Sequence, residues 1–196
     1  VWSNGYCTFD NVQINATGVK EYVNSYPNNV TYATLQDEIN AATPGKTATV
    51  ELTADADANL VIPEDKNIIL DLKGNELTSD VEDVATIHNK GTLSIVDTAE
   101  VKGTITRGPT TYYVIRNDGD MTISAVTVKN DNAGDTSSLV ANSPTGNGAT
   151  LRIESGTFTS AGSNAVKNDP NGKIVIENGT FSSASGSHAA VFNWAK

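Results

Sequence analysis

Two glutamates and an arginine are the residues whose types and spacing come nearest to those of a hydrolytic site. Glu154 follows the alternating residues 151–153, and Glu177 follows the similar residues 174–176. If these stretches are neighbouring strands of one sheet, the two carboxylates lie about 4.8 Å apart. Carboxylates that close together can bind a cation, or one can have its pKa raised, and Arg152 shares their face. Solvated outward side chains explain the pattern equally well, so we predict no catalytic residue and keep Glu154, Glu177 and Arg152 only as candidates.

The most variable segments of the chain hold the candidates for ligand contact. They are residues 79–83, 107–113 and 130–135, and each is rich in polar side chains. In a repeat protein, such insertions collect along one edge and often form the binding face, although solvated corners are the plainer explanation. The candidates are Arg107, Tyr112, Asp131 and Asp135.

Two Asp-x-Asp pairs bear on metal binding. They are Asp55 with Asp57 and Asp118 with Asp120. Carboxylates suit Ca²⁺, but neither pair completes a calcium-loop pattern. The single Cys does not form a metal-binding pattern either. We therefore predict no cofactor and no metal site, and leave Ca²⁺ binding open.

A recurring phrase of sequence supplies the framework for these candidates. Five times, a β-branched aliphatic residue is followed two positions later by Asn, and the five Asn are spaced by 28, 25, 26 and 25 residues. Asn tolerates left-handed backbone geometry at a corner, and stacked Asn side chains can hydrogen-bond from one coil to the next. We therefore predict a structural ladder of stacked Asn side chains. Its members are Asn89, Asn117, Asn142, Asn168 and Asn193.

The residues between successive Asn positions alternate in short apolar and polar steps. Three such strands in each repeat of about 25 residues, without a helical stretch, are typical of a parallel β-solenoid. Stacked coils then share a core that one coil cannot form alone. The composition agrees, because the 24 Thr favour strands and the 21 Asn favour turns. We predict an all-β solenoid over residues 46–196, with three strands per coil.

One helix precedes the repeats. Over residues 31–45, Leu35, Ile39 and Ala42 lie on one helical face, and Pro44-Gly45 ends the pattern. We predict that this helix caps the open start of the first coil, where core and strand edge are otherwise exposed.

The two ends of the chain do not fit the repeat. Residues 1–30 are rich in aromatic side chains, and we predict an N-terminal cap segment there. Residues 194–196 directly follow the fifth Asn and do not resemble a cap. We expect either that the coils continue beyond residue 196 or that another domain covers them.

A family resemblance rests on four features taken together. These are the helix at 31–45, the strand at 46–52, the stretch DKNIILDLKGN at 65–75, and the Gly-Thr-Phe units at 156–158 and 179–181. Together they resemble the pectin-lyase-like right-handed parallel β-helix, in particular the repetitive segments of large secreted or wall-attached bacterial surface proteins. The resemblance implies a right-handed coil and, since its motifs are architectural, says little about activity.

Enzymes of the resembled superfamily attack acidic polysaccharides. The resemblance implies either Asp and Glu holding Ca²⁺ beside a basic residue, or two to three clustered carboxylates. This sequence has no paired Asp-Asp, no His between glycines and no Arg-x-Lys that would match those patterns. It therefore leaves open whether the chain is an enzyme, and favours a non-enzyme.

The net charge and the apolar runs of the chain bear on two classes of partner, nucleic acids and membranes. A net charge of −10, with 13 Lys and Arg against 23 Asp and Glu, disfavours nucleic acid, whose phosphates require clustered cations. No apolar run approaches the ~18 residues needed to span a bilayer, so we predict no membrane insertion. The predicted location is extracellular or at the bacterial cell surface.

The functional prediction follows from these observations. We predict a non-catalytic segment of a bacterial surface or secreted protein, acting as an adhesin, binding face or stalk toward glycan or host-matrix ligands, beside neighbouring domains of a longer chain. A polysaccharide lyase or hydrolase is the first alternative. A phage or autotransporter fibre is the second.

Overall fold

The computed structural model describes residues 34–194, which form a parallel β-solenoid of about six coils. Each coil contributes one strand to each of three parallel sheets, named A, B and C below. The predicted all-β solenoid with three strands per coil is thereby confirmed. The aromatic-rich segment predicted at 1–30 lies outside the described residues.

The strands contain two to five residues each, because the chain turns a corner three times in every coil. Sheet A contains β1 (Thr47–Glu51), β4 (Asn67–Asp71), β7 (Thr92–Val96), β10 (Asp120–Ile123), β13 (Thr150–Ile153) and β16 (Lys173–Ile176). Sheet B contains β2 (Ala56–Asp57), β5 (Glu76–Thr78), β8 (Thr104–Ile105), β11 (Val126–Asn130), β14 (Gly156–Ser160) and β17 (Thr180–Ser183). Sheet C contains β3 (Leu60–Ile62), β6 (Ile87–Asn89), β9 (Ile115–Asn117), β12 (Val140–Asn142), β15 (Val166–Asn168) and β18 (Val191–Asn193).

The core is built from columns of inward side chains. In sheet A the parallel register aligns Ile95, Ile123 and Ile153, and all three are fully buried. In sheet B the register aligns Phe158 with Phe181, whose rings stack with centroids 5.0 Å apart. Because alternate residues of a strand point to opposite faces, one apolar residue at the same place in each repeat is enough to fill a column. The predicted continuous core follows from that repetition.

Helix α1 (Leu35–Ala41) precedes the first coil. It is shorter than the predicted span of 31–45, because Thr34 has extended backbone geometry and its hydroxyl accepts a hydrogen bond from the Asp37 amide at 3.1 Å. This is the geometry of an N-cap. Ile39 is fully buried against the core, so the helix covers the start of the solenoid.

Gln36 hydrogen-bonds to the edge of a strand, a contact that the sequence did not predict. Its Oε1 accepts from the Val61 amide at 2.7 Å, and its Nε2 donates to the Val61 carbonyl at 2.9 Å. Val61 lies in β3, the first strand of sheet C. The side-chain amide therefore replaces a neighbouring strand at an edge that would otherwise be free to pair with another chain.

Glycine lets the backbones stack closely at the corner between sheets C and A. A Cβ atom on Gly91 would lie 2.1 Å from the Pro63 carbonyl oxygen, and one on Gly119 would lie 2.2 Å from the Gly91 carbonyl oxygen. Both separations are far below a van der Waals contact. Only glycine fits these two positions in the stacked corner.

Candidate functional site: a groove on sheet C

The five repeated Asn residues form one continuous chain of side-chain hydrogen bonds. Each Nδ2 donates to the Oδ1 of the next Asn, and the first four are nearly or fully buried. The four distances, from Asn89 through Asn117, Asn142 and Asn168 to Asn193, are 2.8, 2.7, 2.6 and 2.9 Å. Stacking at the strand spacing places identical amides within hydrogen-bond reach.

The Asn side chains also hold the corners that follow them. Asn117 Nδ2 donates to the Gly119 carbonyl at 3.1 Å and to the Thr150 carbonyl at 3.0 Å. Asn89 Oδ1 accepts from the Gly91 amide at 3.2 Å. Both polar groups of the first four amides are thus occupied inside the protein, which makes this column part of the architecture.

The catalytic candidates meet on the outer face of sheet A. Arg152 bonds to Glu177, and its Nε lies 3.5 Å from Glu154 Oε1. The three side chains are 43–44% exposed. Arg152 therefore bridges the two carboxylates, which form a solvated surface network of ion pairs.

Two of the ligand-contact candidates are buried. Arg107 is 5% exposed, and its guanidinium donates to the carbonyls of Val81 at 2.9 Å and Val84 at 2.9 Å. Asp135 is 1% exposed and accepts from Asn130 Nδ2 at 2.7 Å. Both residues hydrogen-bond to neighbouring loops between sheets B and C and so connect these loops to one another.

The other two candidates lie at the surface. Asp131 has a 77% exposed side chain and pairs with Lys129 at 3.4 Å. The Tyr112 hydroxyl is half-buried and accepts from Arg116 Nη1 at 3.1 Å. Three of the four candidates nevertheless lie close together: the Tyr112 amide donates to Asp135 Oδ2 at 3.4 Å, and the Arg107 guanidinium is within electrostatic reach of both residues. The exposed Asp131 is not part of these contacts.

Sheet C carries a polar cluster outside the predicted set. Asp118 accepts from Arg116 Nε at 2.7 Å, lies 2.8 Å from His88 Nε2, and accepts from the Thr145 hydroxyl at 2.8 Å. Burial acts to raise the pKa of Asp118, but the three hydrogen bonds outweigh it and hold the pKa below its ordinary value. Burial lowers the pKa of His88, and the opposing bond to Asp118 does not restore it. The cluster ties three coils together.

A groove lies closer to the C-terminal end of the same sheet, at the corner between sheets B and C. Its volume is about 300 Å³. Hydroxyl, amide and imidazole groups form most of its lining, and it includes one lysine and one aromatic ring. We call it the sheet-C groove. It is lined by Thr136, Ser138, Ser163, Asn164, Lys167, Ser187, His188, Ala189 and Phe192.

An aromatic pair and a cation meet at one side of the sheet-C groove. Phe192 and Trp194 are 41% and 55% exposed, and their ring centroids lie 6.4 Å apart. Lys167 Nζ lies 5.1 Å from the Trp194 ring and 2.7 Å from Asp169 Oδ1. The lysine is therefore held between a carboxylate and an indole face.

Hydrogen bonds between coils fix the polar wall of the groove. Asn164 Nδ2 donates to Ser138 Oγ at 3.3 Å, and Asn164 Oδ1 accepts from the Ala189 amide at 3.1 Å. The Ser163 hydroxyl donates to the Thr136 carbonyl at 3.0 Å. Three successive coils thus hold this wall in place before any ligand arrives.

A larger groove of about 440 Å³ lies at the corner between sheets C and A. Its lining includes Glu64, Asp120, Lys90 and Lys173 but no aromatic side chain. Charges of both signs surround a floor formed partly of glycine backbone. The sheet-C groove is the better candidate, because it alone of the two joins an aromatic surface to hydrogen-bonding groups.

Sequence reasoning missed the sheet-C groove for an identifiable reason. Lys167 and Phe192 each occupy the outward position before a ladder Asn, which is visible in the repeat. The polar wall, however, comes from corner residues of different coils. Their side chains meet only when the coils stack.

The described residues show neither a metal-binding cluster nor a membrane-spanning helix. Within residues 34–194, no group of three or more His, Cys, Asp or Glu is placed to hold a metal ion. No helix in that range is long and apolar enough to cross a membrane. Comparison of the chain with protein-family models, curated proteins and solved structures finds no match.

Proposed function

We propose that this chain is a non-catalytic carbohydrate-binding segment of an extracellular bacterial surface protein, and that the sheet-C groove receives the sugar. The observation that carries the proposal is the exposed pair Phe192 and Trp194 beside a preformed wall of hydroxyl and amide groups. The cell-surface part rests on the family resemblance described above.

The chemistry of a sugar ring matches this arrangement. A pyranose presents C–H groups on its faces and hydroxyls around its edge. Exposed aromatic rings offer rigid apolar area to the faces, and a few fixed polar groups orient the hydroxyls. The hydroxyls of Thr136 and Ser187, two exposed residues of the lining, can each donate and accept. Because the groove is already formed, little ordering entropy is lost when a ligand binds.

Two aromatic variants test the site. We expect Trp194→Ala and Phe192→Ala to weaken binding to a bound glycan at least tenfold, in calorimetric titrations against a panel of bacterial and mucosal oligosaccharides. Val175→Ala is the matched control, since Val175 is 46% exposed on sheet A in the same coil. Circular dichroism of each variant checks that the fold is kept.

Two results would contradict the proposal. One is that no glycan of the panel binds the intact chain. The other is that a glycan binds but the aromatic variants retain the affinity of the Val175 control, which would place the ligand elsewhere on the surface.

The lyase or hydrolase alternative stays a prediction with its own assay. Arg152 already bonds to both glutamates of the predicted pair, so the geometry does not favour a shared proton there. The same glycan panel can be followed for new reducing ends and unsaturated products. Loss of any such release in Glu154→Gln or Glu177→Gln would establish that alternative. The fibre alternative is tested by whether the chain forms trimers in solution.

A further inference from the structure

We infer that the sheet-C groove selects a neutral, hydroxyl-rich saccharide over an acidic one; this inference rests on the proposed function. Enzymes of the resembled superfamily act on acidic polysaccharides, so the inference departs from what the resemblance implies. It is carried by the charge balance of the groove and by the charge of the whole chain.

The single lysine among the described residues that line the groove already forms an ion pair with a carboxylate. Lys167 Nζ lies 2.7 Å from Asp169 Oδ1, and Asp169 is only 6% exposed. The pair carries no net charge, and a ligand carboxylate that approached Lys167 would also lie near the Asp169 carboxylate. This repulsion offsets the attraction of the lysine, so the pair gives an anionic sugar little advantage.

The rest of the chain does not attract polyanions either. The full sequence carries a net charge of −10. At physiological salt the field of exposed charges extends over about 8 Å, which is enough to disfavour the approach of a uronate-rich polymer. No Arg or second Lys lines the groove to offset this repulsion locally.

Matched ligands separate the two classes. Each acidic oligosaccharide of the panel is titrated beside its carboxyl-reduced form, in which every uronate becomes the neutral hexose with the same linkage. We expect the reduced member of a binding pair to bind at least tenfold more tightly. We also expect its affinity to change less than twofold between 50 and 300 mM NaCl, since no ion pair forms.

A charge-switch variant tests the role of Asp169. Asp169→Asn keeps the side-chain shape but frees Lys167 from its carboxylate, so we expect affinity for the acidic members to rise about tenfold. The control is Asp65→Asn, which makes the same change in net charge at an exposed carboxylate between β3 and β4, with Lys66 3.6 Å away. This control should leave both affinities within twofold.

The outcomes distinguish this inference from the proposed function. If the intact chain binds an acidic member more tightly than its reduced partner, and Trp194→Ala abolishes that binding, the inference is overturned while the proposed function holds. If neither member of any pair binds, the proposed function fails and the inference with it. An Asp169→Asn variant that behaves like the Asp65 control would also overturn the inference, because Asp169 would then have no influence on the choice between acidic and neutral ligands.

Discussion

Removing one rung from the middle of the Asn ladder tests the architecture most directly. Asn142 is fully buried; its Oδ1 accepts from Asn117 at 2.7 Å, and its Nδ2 donates to Asn168 Oδ1 at 2.6 Å and to the Lys173 carbonyl at 3.0 Å. Asn142→Ala therefore removes these three hydrogen bonds, and a longer one from Nδ2 to the Ala149 carbonyl at 3.4 Å, in an interior that water cannot reach.

The magnitude follows from these contacts. Each lost bond costs about 0.5–1.5 kcal/mol, and a buried acceptor left without its donor costs about 1–3 kcal/mol. The sum is about 4 kcal/mol, against a total stability of about 5–15 kcal/mol for a domain. With a urea slope of about 2 kcal/mol per molar, the unfolding midpoint should fall by about 2 M.

The assay is urea unfolding of the whole chain, followed by far-UV circular dichroism. Asn147→Ala is the matched control, because Asn147 is exposed and makes no side-chain hydrogen bond in the described structure. We expect this control to change the free energy of unfolding by less than about 0.5 kcal/mol.

A double-mutant cycle separates a ladder from independent corners. Asn117→Ala and Asn142→Ala share one hydrogen bond, so the double variant should lose about 1 kcal/mol less than the sum of the two single variants. Additivity within about 0.5 kcal/mol would refute the ladder and leave each Asn with a local role only. An Asn142→Ala variant as stable as the Asn147 control would refute the estimate itself.

Three further predictions concern the remaining structural features. Gly91→Ala should lower the free energy of unfolding, measured with urea, by about 3 kcal/mol or more, because the new Cβ meets a backbone carbonyl. Gly186→Ala should be neutral, because no atom lies within 4 Å of a Cβ at that position. Equal effects of the two variants would contradict the close stacking. Arg107→Met should lower the free energy of unfolding by about 3 kcal/mol or more, because it breaks several buried hydrogen bonds. Arg152→Met, at an exposed ion pair, should lower it by less than about 1 kcal/mol. The reverse order would contradict the structural role assigned to Arg107. Because the pKa of His88 is lowered in the folded state, its stabilising contribution is present above the unfolded pKa of about 6.5 and is lost as pH falls through the folded value. Stability measured from pH 8 to pH 5 should therefore decline, and His88→Gln should flatten that decline; an unchanged profile would exclude His88 as its cause.

The repeat made much of the architecture predictable from sequence. The aliphatic positions two residues before the first four ladder Asn, such as Ile115 and Val140, are fully buried and aligned in sheet C, as their spacing predicts. Such columns are predictable because the alternation along a strand and the period between coils are both properties of the sequence alone. The helix was predicted as well, although its N-terminal boundary depended on the backbone geometry at Thr34.

The polar positions were less predictable because their partners come from other coils. Arg107 was a candidate for ligand contact on account of its variable, polar loop, but that loop folds so that backbone carbonyls surround the guanidinium. Gln36 showed no sequence signal for its pairing with the edge of β3. The path of the Arg107 loop and the orientation of the Gln36 amide each occur once in the chain. A repeat pattern therefore could not predict either of them.

The sequence by itself determined the solenoid, its three strands per coil and the column of Asn, because each of these repeats in register and needs only a local rule applied many times. The tertiary structure decided the sheet-C groove. The pairing of Lys167 with Asp169 is local, since the two residues are two positions apart in sequence, but Phe192 and Ser138 line the same groove as Lys167 only when coils stack. The combination of a paired lysine, an aromatic ring and hydroxyl groups results from that stacking.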